Sequence, residues 1–219
     1  MTKAHQIYIG NTKSSSYDKE VIGGEILIAN ETFYKISNVD AMRPFFMSIV
    51  SNSNHWMFIA SNGGLSAGRK DSNAAIFPYY TDDKLVESAE FTGTKTLLRV
   101  QRIENEYLWE PFSDSYAGVY EISRNVYKNS IGNKVIFEEI NHDLKLTYSF
   151  EWNSSDRFGF VKKSILLNNA KESTSVTVLD GLQNILPYGV GEDLQKVRNK
   201  WISIVFSKIP HTGDTESLD

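Results

Sequence analysis

Leu144-Lys145-Leu146-Thr147-Tyr148-Ser149-Phe150-Glu151-Trp152 alternates apolar and polar residues from end to end. In an extended chain every second side chain points the same way. The segment therefore turns Leu144, Leu146, Tyr148, Phe150 and Trp152 toward a core, and Lys145, Thr147, Ser149 and Glu151 toward water. A helix would scatter the same residues around its circumference, so the alternation predicts a strand that covers one face of a core.

The flanking sequence extends the pattern. Upstream, residues 118–123, 125–129 and 134–140 have strand character. Downstream, Asn153-Ser154-Ser155-Asp156 reads as a turn, residues 158–167 resume an apolar strand with Lys162-Lys163 in its middle, and residues 173–179 alternate Thr and Val before Asp180-Gly181. Near the start, a Ser/Asn/Thr-rich loop over 10–19 leads to strands at 21–28 and 32–36 around Ala29-Asn30-Glu31, and a further strand is expected at 96–102.

Between these lies Arg43-Pro44-Phe45-Phe46-Met47-Ser48-Ile49-Val50, a polar Ser/Asn connection, and Trp56-Met57-Phe58-Ile59-Ala60, which read together as a hairpin. Asn62-Gly63-Gly64 is a second turn leading to a third strand. Many strands joined by short polar turns predict an all-β chain, a large antiparallel β-sandwich. At 219 residues this suits one domain. The helical period appears once, where Leu194, Val197, Trp201 and Ile204 are spaced for an amphipathic helix over 191–206. A boundary is expected within 186–191, dividing a sandwich (1–190) from a linker helix and frayed tail (191–219).

The formal net charge of -4 and pI near 5.6 disfavour nucleic acid and anionic membranes as partners, since both need concentrated Lys and Arg. With no cysteine, disulfides, thiolate nucleophiles and cysteine zinc sites are excluded. No run has the length of a signal peptide or a membrane span, which together with the missing cysteines leans the expected location toward the cytoplasm. The four histidines are scattered and no His-Glu-x-x-His is present, so neither metal nor cofactor is expected.

Aromatic residues make up 12% of the chain, and sugar-binding proteins lay aromatic rings against the apolar faces of pyranoses. Trp56 and Trp152 sit in strand patterns and read as core. Tyr79, Tyr80 and Trp109 lie in irregular segments beside Pro78, Asp82, Glu110 and Pro111 and are candidate sugar contacts. Arg69-Lys70-Asp71 offers the planar donors of Arg69 and the acceptor of Asp71, or else is a solvated turn with a local ion pair. Asp82-Asp83 reads as a turn or cap, because neighbours in an extended segment point apart whereas a glycosidase acid and base face one bond. Asp143, Asp156 and Asp180 occupy turn settings. The candidate carbohydrate-binding set is thus Arg69, Asp71, Tyr79, Tyr80, Asp82 and Trp109, with no catalytic residue.

The order Arg43-Pro44-Phe45, Ile49-Val50-Ser51-Asn52, Asn62-Gly63-Gly64, Ser66-Ala67-Gly68-Arg69 and Pro78-Tyr79-Tyr80-Thr81-Asp82 resembles the N-terminal domain of cellobiose-phosphorylase-like enzymes. Phe45 and Tyr79 stand where that pattern has tryptophan, and Ala67-Gly68-Arg69 replaces its Asn-Ser-Arg. The resemblance implies a galactose-mutarotase-like supersandwich that lines a sugar cleft, supports a separate C-terminal (α/α)₆ barrel bearing the catalytic acid, and takes part in a homodimer. Two alternatives stand beside it. One is a free-standing mutarotase-like enzyme recruiting His55, His142 and Glu138 as acid and base; the other is a binding or assembly module.

Overall fold

The computed structural model describes residues 8–9, 12–13, 19–79 and 81–195. In chain order, β1 (Tyr8–Ile9) and β2 (Thr12–Lys13) form a small pair, and β3 (Ile22–Ile28) and β4 (Glu31–Ser37) form a hairpin. A four-stranded meander follows: β5 (Phe46–Ile49), β6 (His55–Ala60), β7 (Leu65–Arg69) and β8 (Ala75–Phe77). A short helix, α1 (Asp82–Glu87), leads to β9 (Gly93–Gln101) and β10 (Glu106–Trp109). The hairpin-linked β11 (Ile122–Asn129), β12 (Lys134–Asn141), β13 (Leu146–Ser155) and β14 (Gly159–Asn168) come next, and then β15 (Ser175–Gln183).

The strands build an all-β, sandwich-like fold of antiparallel sheets. One layer is six-stranded, in the order β14-β13-β12-β11-β4-β3. Facing it are the meander β5-β6-β7-β8 and the three-stranded β10-β9-β15. A single apolar cluster joins all three sheets. Val135, Phe137, Leu146, Tyr148, Phe150 and Trp152 come from the large one, Met57, Ile59 and Phe77 from the meander, and Leu98, Val100 and Trp109 from the third.

The alternating segment lies at the centre of this core. Leu146, Tyr148, Phe150 and Trp152 are buried, and Phe150 stacks on its cross-strand partner Phe137 with ring centroids 4.8 Å apart. Two details depart from strict alternation. Leu144 is buried from the turn before the strand, where Lys145 takes a φ of 52°. Thr147 is also buried, because Asn169 beyond β14 folds back and donates to its hydroxyl at 2.7 Å.

Several expected boundaries shift for tertiary reasons. Of the expected strand at 118–123 only Ile122 and Ser123 are extended, residues 118–120 lying in turns and bends; those two join 125–129 in the single strand β11, in which Arg124 is anchored by Glu139 of β12. Asp82-Asp83 opens α1 rather than lying in an extended segment, and Thr81 occupies the N-cap, as a Thr-Asp-Asp sequence favours. Of the expected terminal helix, residues 192–195 are helical and 196–206 lie outside the described residues, as does most of the expected loop at 10–19. Among the described residues no helix is long and apolar enough to cross a membrane.

Asp180-Gly181 is likewise not a turn, since β15 runs through it to Gln183. The Asp180 carboxylate accepts from Thr96 (2.7 Å), Tyr148 (3.0 Å) and Lys162 (2.5 Å), so it ties β15 and β9 to β13 and β14 across the sandwich edge. Burial alone would raise the Asp180 pKa, but the hydrogen bonds from Lys162, Thr96 and Ser164 outweigh it and hold it below the ordinary aspartate value. Burial also pushes Tyr148 up to about 12, keeping its hydroxyl protonated as a donor.

A depressed folded-state pKa adds stability that is present above the unfolded value of 3.8 and is lost as pH falls through the folded one. Asp180→Asn should therefore melt below the wild type at pH 7, by roughly 1 kcal/mol given the partial exposure of this site. The two melting curves should converge as pH drops below about 4. A gap independent of pH between 3 and 7 would refute the clasp.

Candidate functional site

The meander buries one face in the core and leaves the other partly exposed, although Ala60 and Ser66 on that second face are still buried. Met57 and Ile59 of β6 point into the core with Met47 and Ile49 of β5. Alternation then sends Trp56 and Phe58 to the outer face together with Phe46. There the rings form a continuous strip. Phe46 lies 5.4 Å from Phe58, Phe58 lies 5.5 Å from Trp56, and Trp56 lies 5.8 Å from Tyr79, all between ring centroids. The first three rings are tilted from one another by only 33–37°, while Tyr79 meets Trp56 edge to face at 81°.

Phe46 is 46% exposed and Tyr79 44%, with Trp56 and Phe58 half-buried between them. The indole has its place because residue 68 is glycine. A β-carbon there would sit 2.6 Å from Trp56 Cζ2 and 2.7 Å from the Ala74 carbonyl oxygen. The Trp56 Nε1–H is buried and finds no acceptor among the described residues.

Tyr79 is held at the end of the strip by its backbone. Its N–H donates to Gln195 Oε1 at 2.9 Å, and Gln195 Nε2 donates to the Val190 carbonyl at 3.1 Å. The same helical turn bonds the β7–β8 connection, where Asn73 Oδ1 accepts from Glu192 N at 3.1 Å and Ser72 donates to the Glu192 carboxylate. Contacts thus cross the boundary expected at 186–191, and the chain beyond it is tied to the rim of the aromatic face.

Of the residues expected to form a sugar site, Tyr79 alone among those described is on this strip. Arg69 closes β7 opposite His55, so alternation places it on the other face, where its Nε–H reaches Asn54 Oδ1 at 3.3 Å. Asp71 accepts from the Asn73 N–H at 3.0 Å and caps the 3₁₀ turn Ser72–Ala74, a local structural duty. Tyr80 and the side chain of Asp82 lie outside the described residues.

Trp109 requires a correction. It is 2% exposed, belongs to β10 rather than an irregular segment, and donates its Nε1–H to Glu139 at 2.8 Å. No ring face is open to a ligand there. Trp56 errs the opposite way, since its strand pattern suggests core while its register places it outside. The signal that could have found the strip is the spacing of Phe46, Trp56 and Phe58. Met57 and Ile59 are apolar too, so both faces of β6 look equally core-like.

The three groups considered as acid and base each have their own, unshared partners. His55 Nδ1 meets Ser53 Oγ and its ring abuts Phe160, while His142 Nε2 meets Ser123 Oγ at 2.9 Å. Glu138 Oε1 accepts from Asn125 at 2.7 Å and from Tyr127 at 2.6 Å. Burial is the first cause that pushes the Tyr127 hydroxyl far up, followed by Glu138, so it stays a donor to that carboxylate. Among the described residues no cluster of three or more His, Asp or Glu could hold a metal ion. No protein-family model matches the chain, and no curated protein matches it.

Proposed function

We propose that this chain is a non-catalytic, carbohydrate-binding β-sandwich domain that works beside a separate catalytic module of a larger glycoside phosphorylase or hydrolase. The observation that supports this reading is the aromatic strip Phe46–Phe58–Trp56–Tyr79, whose end rings Phe46 and Tyr79 are about half exposed on the outer side of the meander. Rings in a row offer a sugar chain successive apolar contacts, and their fixed spacing on a sheet keeps the entropy cost of ordering them low. Stability alone gives no reason to leave such a row partly in water, whereas a ligand does.

Affinity electrophoresis against soluble glucans and xylans, with calorimetric titration of cellohexaose and maltohexaose, tests the reading. Tyr79→Ala and Phe46→Ala should each weaken glycan binding roughly five- to tenfold, matching about 1 kcal/mol per lost ring contact. Both residues are about half exposed, so melting should hardly change. Arg69→Ala, on the opposite face, should have the smaller effect on binding. Absence of binding to every glycan, or wild-type affinity in both ring variants, would overturn the proposal.

A further inference from the structure

The second feature left unexplained is the edge of the three-stranded sheet. β15 pairs with β9 over its whole length, Ser175–Gln183, and among the described residues no strand pairs with its other side. A row of free backbone donors and acceptors next to apolar side chains is a template for another strand, which folded proteins usually block with lysine, proline, a bulge or a covering segment. Among the described residues β15 has none of these. It contains no Lys, Arg or Pro, and its pairing with β9 shows no register shift. Its one charge, Asp180, is matched by Lys162. The sheet face over its C-terminal half is uncovered, since a β-carbon at Gly181 would meet nothing within 4 Å. Leu179 is 67% exposed and Val178 50%.

β14, one of the two edges of the six-stranded sheet, differs. It carries Lys162 and Lys163 in its middle, the blocking device that β15 lacks.

The sequence of β15 selects the occupant. Leu179 is the central residue of Ser175–Gln183. An antiparallel pairing of two copies about a two-fold axis at Leu179 sets this residue against its own mate, Val178 against Asp180, Thr177 against Gly181, Val176 against Leu182 and Ser175 against Gln183. Every residue of the strand is then paired and no two like charges oppose. Sliding the register to centre on Asp180 would set two carboxylates face to face, which cross-strand pairing disfavours.

We propose that β15 is the interface through which two copies of this chain associate, joining their three-stranded sheets edge to edge into one continuous sheet. The association is isologous, with each copy contributing the same strand. It uses a surface separate from the aromatic strip and stands or falls independently of the sugar-binding reading.

The natural chain has no cysteine, so single cysteines report this register cleanly. Directly opposed Cα atoms in an antiparallel pair lie about 4.5–5.5 Å apart, within disulfide range. Leu179→Cys should therefore give a covalent dimer under mild oxidation. Thr177→Cys is on the same strand face, but each copy lies four positions from its mate, roughly 13 Å along the strand, so it should stay uncrosslinked. In sedimentation equilibrium the wild type should be dimeric at tens of micromolar and Leu179→Lys monomeric. Leu108→Lys, at an exposed position on the opposite edge strand β10, should remain dimeric. A monomeric wild type, equal crosslinking at 177 and 179, or a dimer that survives Leu179→Lys would each overturn the proposal. Circular dichroism on every variant confirms that the fold is kept.

Discussion

Glu139→Ala is expected to destabilise the protein by about 3–5 kcal/mol, the range for breaking a buried ion pair from one side. Glu139 is 1% exposed inside a β-sandwich, a place no carboxylate occupies without full compensation. Its oxygens accept from Trp109 Nε1–H (2.8 Å), the Phe112 backbone N–H (2.7 Å) and Arg124 Nε–H (2.8 Å). Arg124 in turn donates to Asp114 Oδ1 at 2.6 Å and the Ser113 carbonyl at 2.8 Å. Burial by itself would lower the Arg124 pKa, but Glu139 and Asp114 outweigh it, so the guanidinium stays charged.

Alanine at 139 leaves that cation and two further donors without their acceptor. Thermal melting should fall by on the order of 10 °C, since each kcal/mol shifts Tm by roughly 2–4 °C at this chain length. The double variant Glu139→Leu/Arg124→Leu should recover much of the loss, because removing both charges removes the desolvation penalty as well. A single-variant loss below about 1 kcal/mol would mean that the network does not hold β10 to the large sheet.

Phe150→Ala should be of similar size, about 3–5 kcal/mol, for a different reason. Its ring stacks on Phe137 at 4.8 Å and receives the Phe112 ring edge-on at 5.1 Å, and Lys162 Nζ lies 5.9 Å from its centroid. Truncation removes apolar burial and opens a cavity between sheets whose strands are fixed by hydrogen bonds and cannot close over it. Chemical denaturation should show a lower midpoint with little change in slope. Phe150→Leu should lose less than half as much. An unchanged midpoint for the alanine variant would refute the burial.

The two residues were not equally legible. Phe150 was plain from alternation, because a strand fixes the side of each residue by counting. Glu139 looks in sequence like the charged partner of Glu138, and nothing local says which of the two enters the core. Register decides it, since Glu139 pairs with Tyr148 and so shares its inward face. The site was legible only in part for the same reason. Tyr79 stood out by its irregular surroundings, while Trp109 shared those surroundings and proved to be the donor to Glu139. Phe46, Trp56 and Phe58 were hidden because the meander is apolar on both faces.

The amino-acid order alone determined the all-β character, most strand positions and the inward row Leu146, Tyr148, Phe150 and Trp152, since strand periodicity is a property of a few successive residues. Only the assembled sheets decided which face of β6 would meet water, that Asp180 would clasp an edge instead of making a turn, and that β15 would be left, among the described residues, with a strand on one side alone. Each of those outcomes depends on which distant segment arrives to cover a surface, and no local pattern of polar and apolar residues records that.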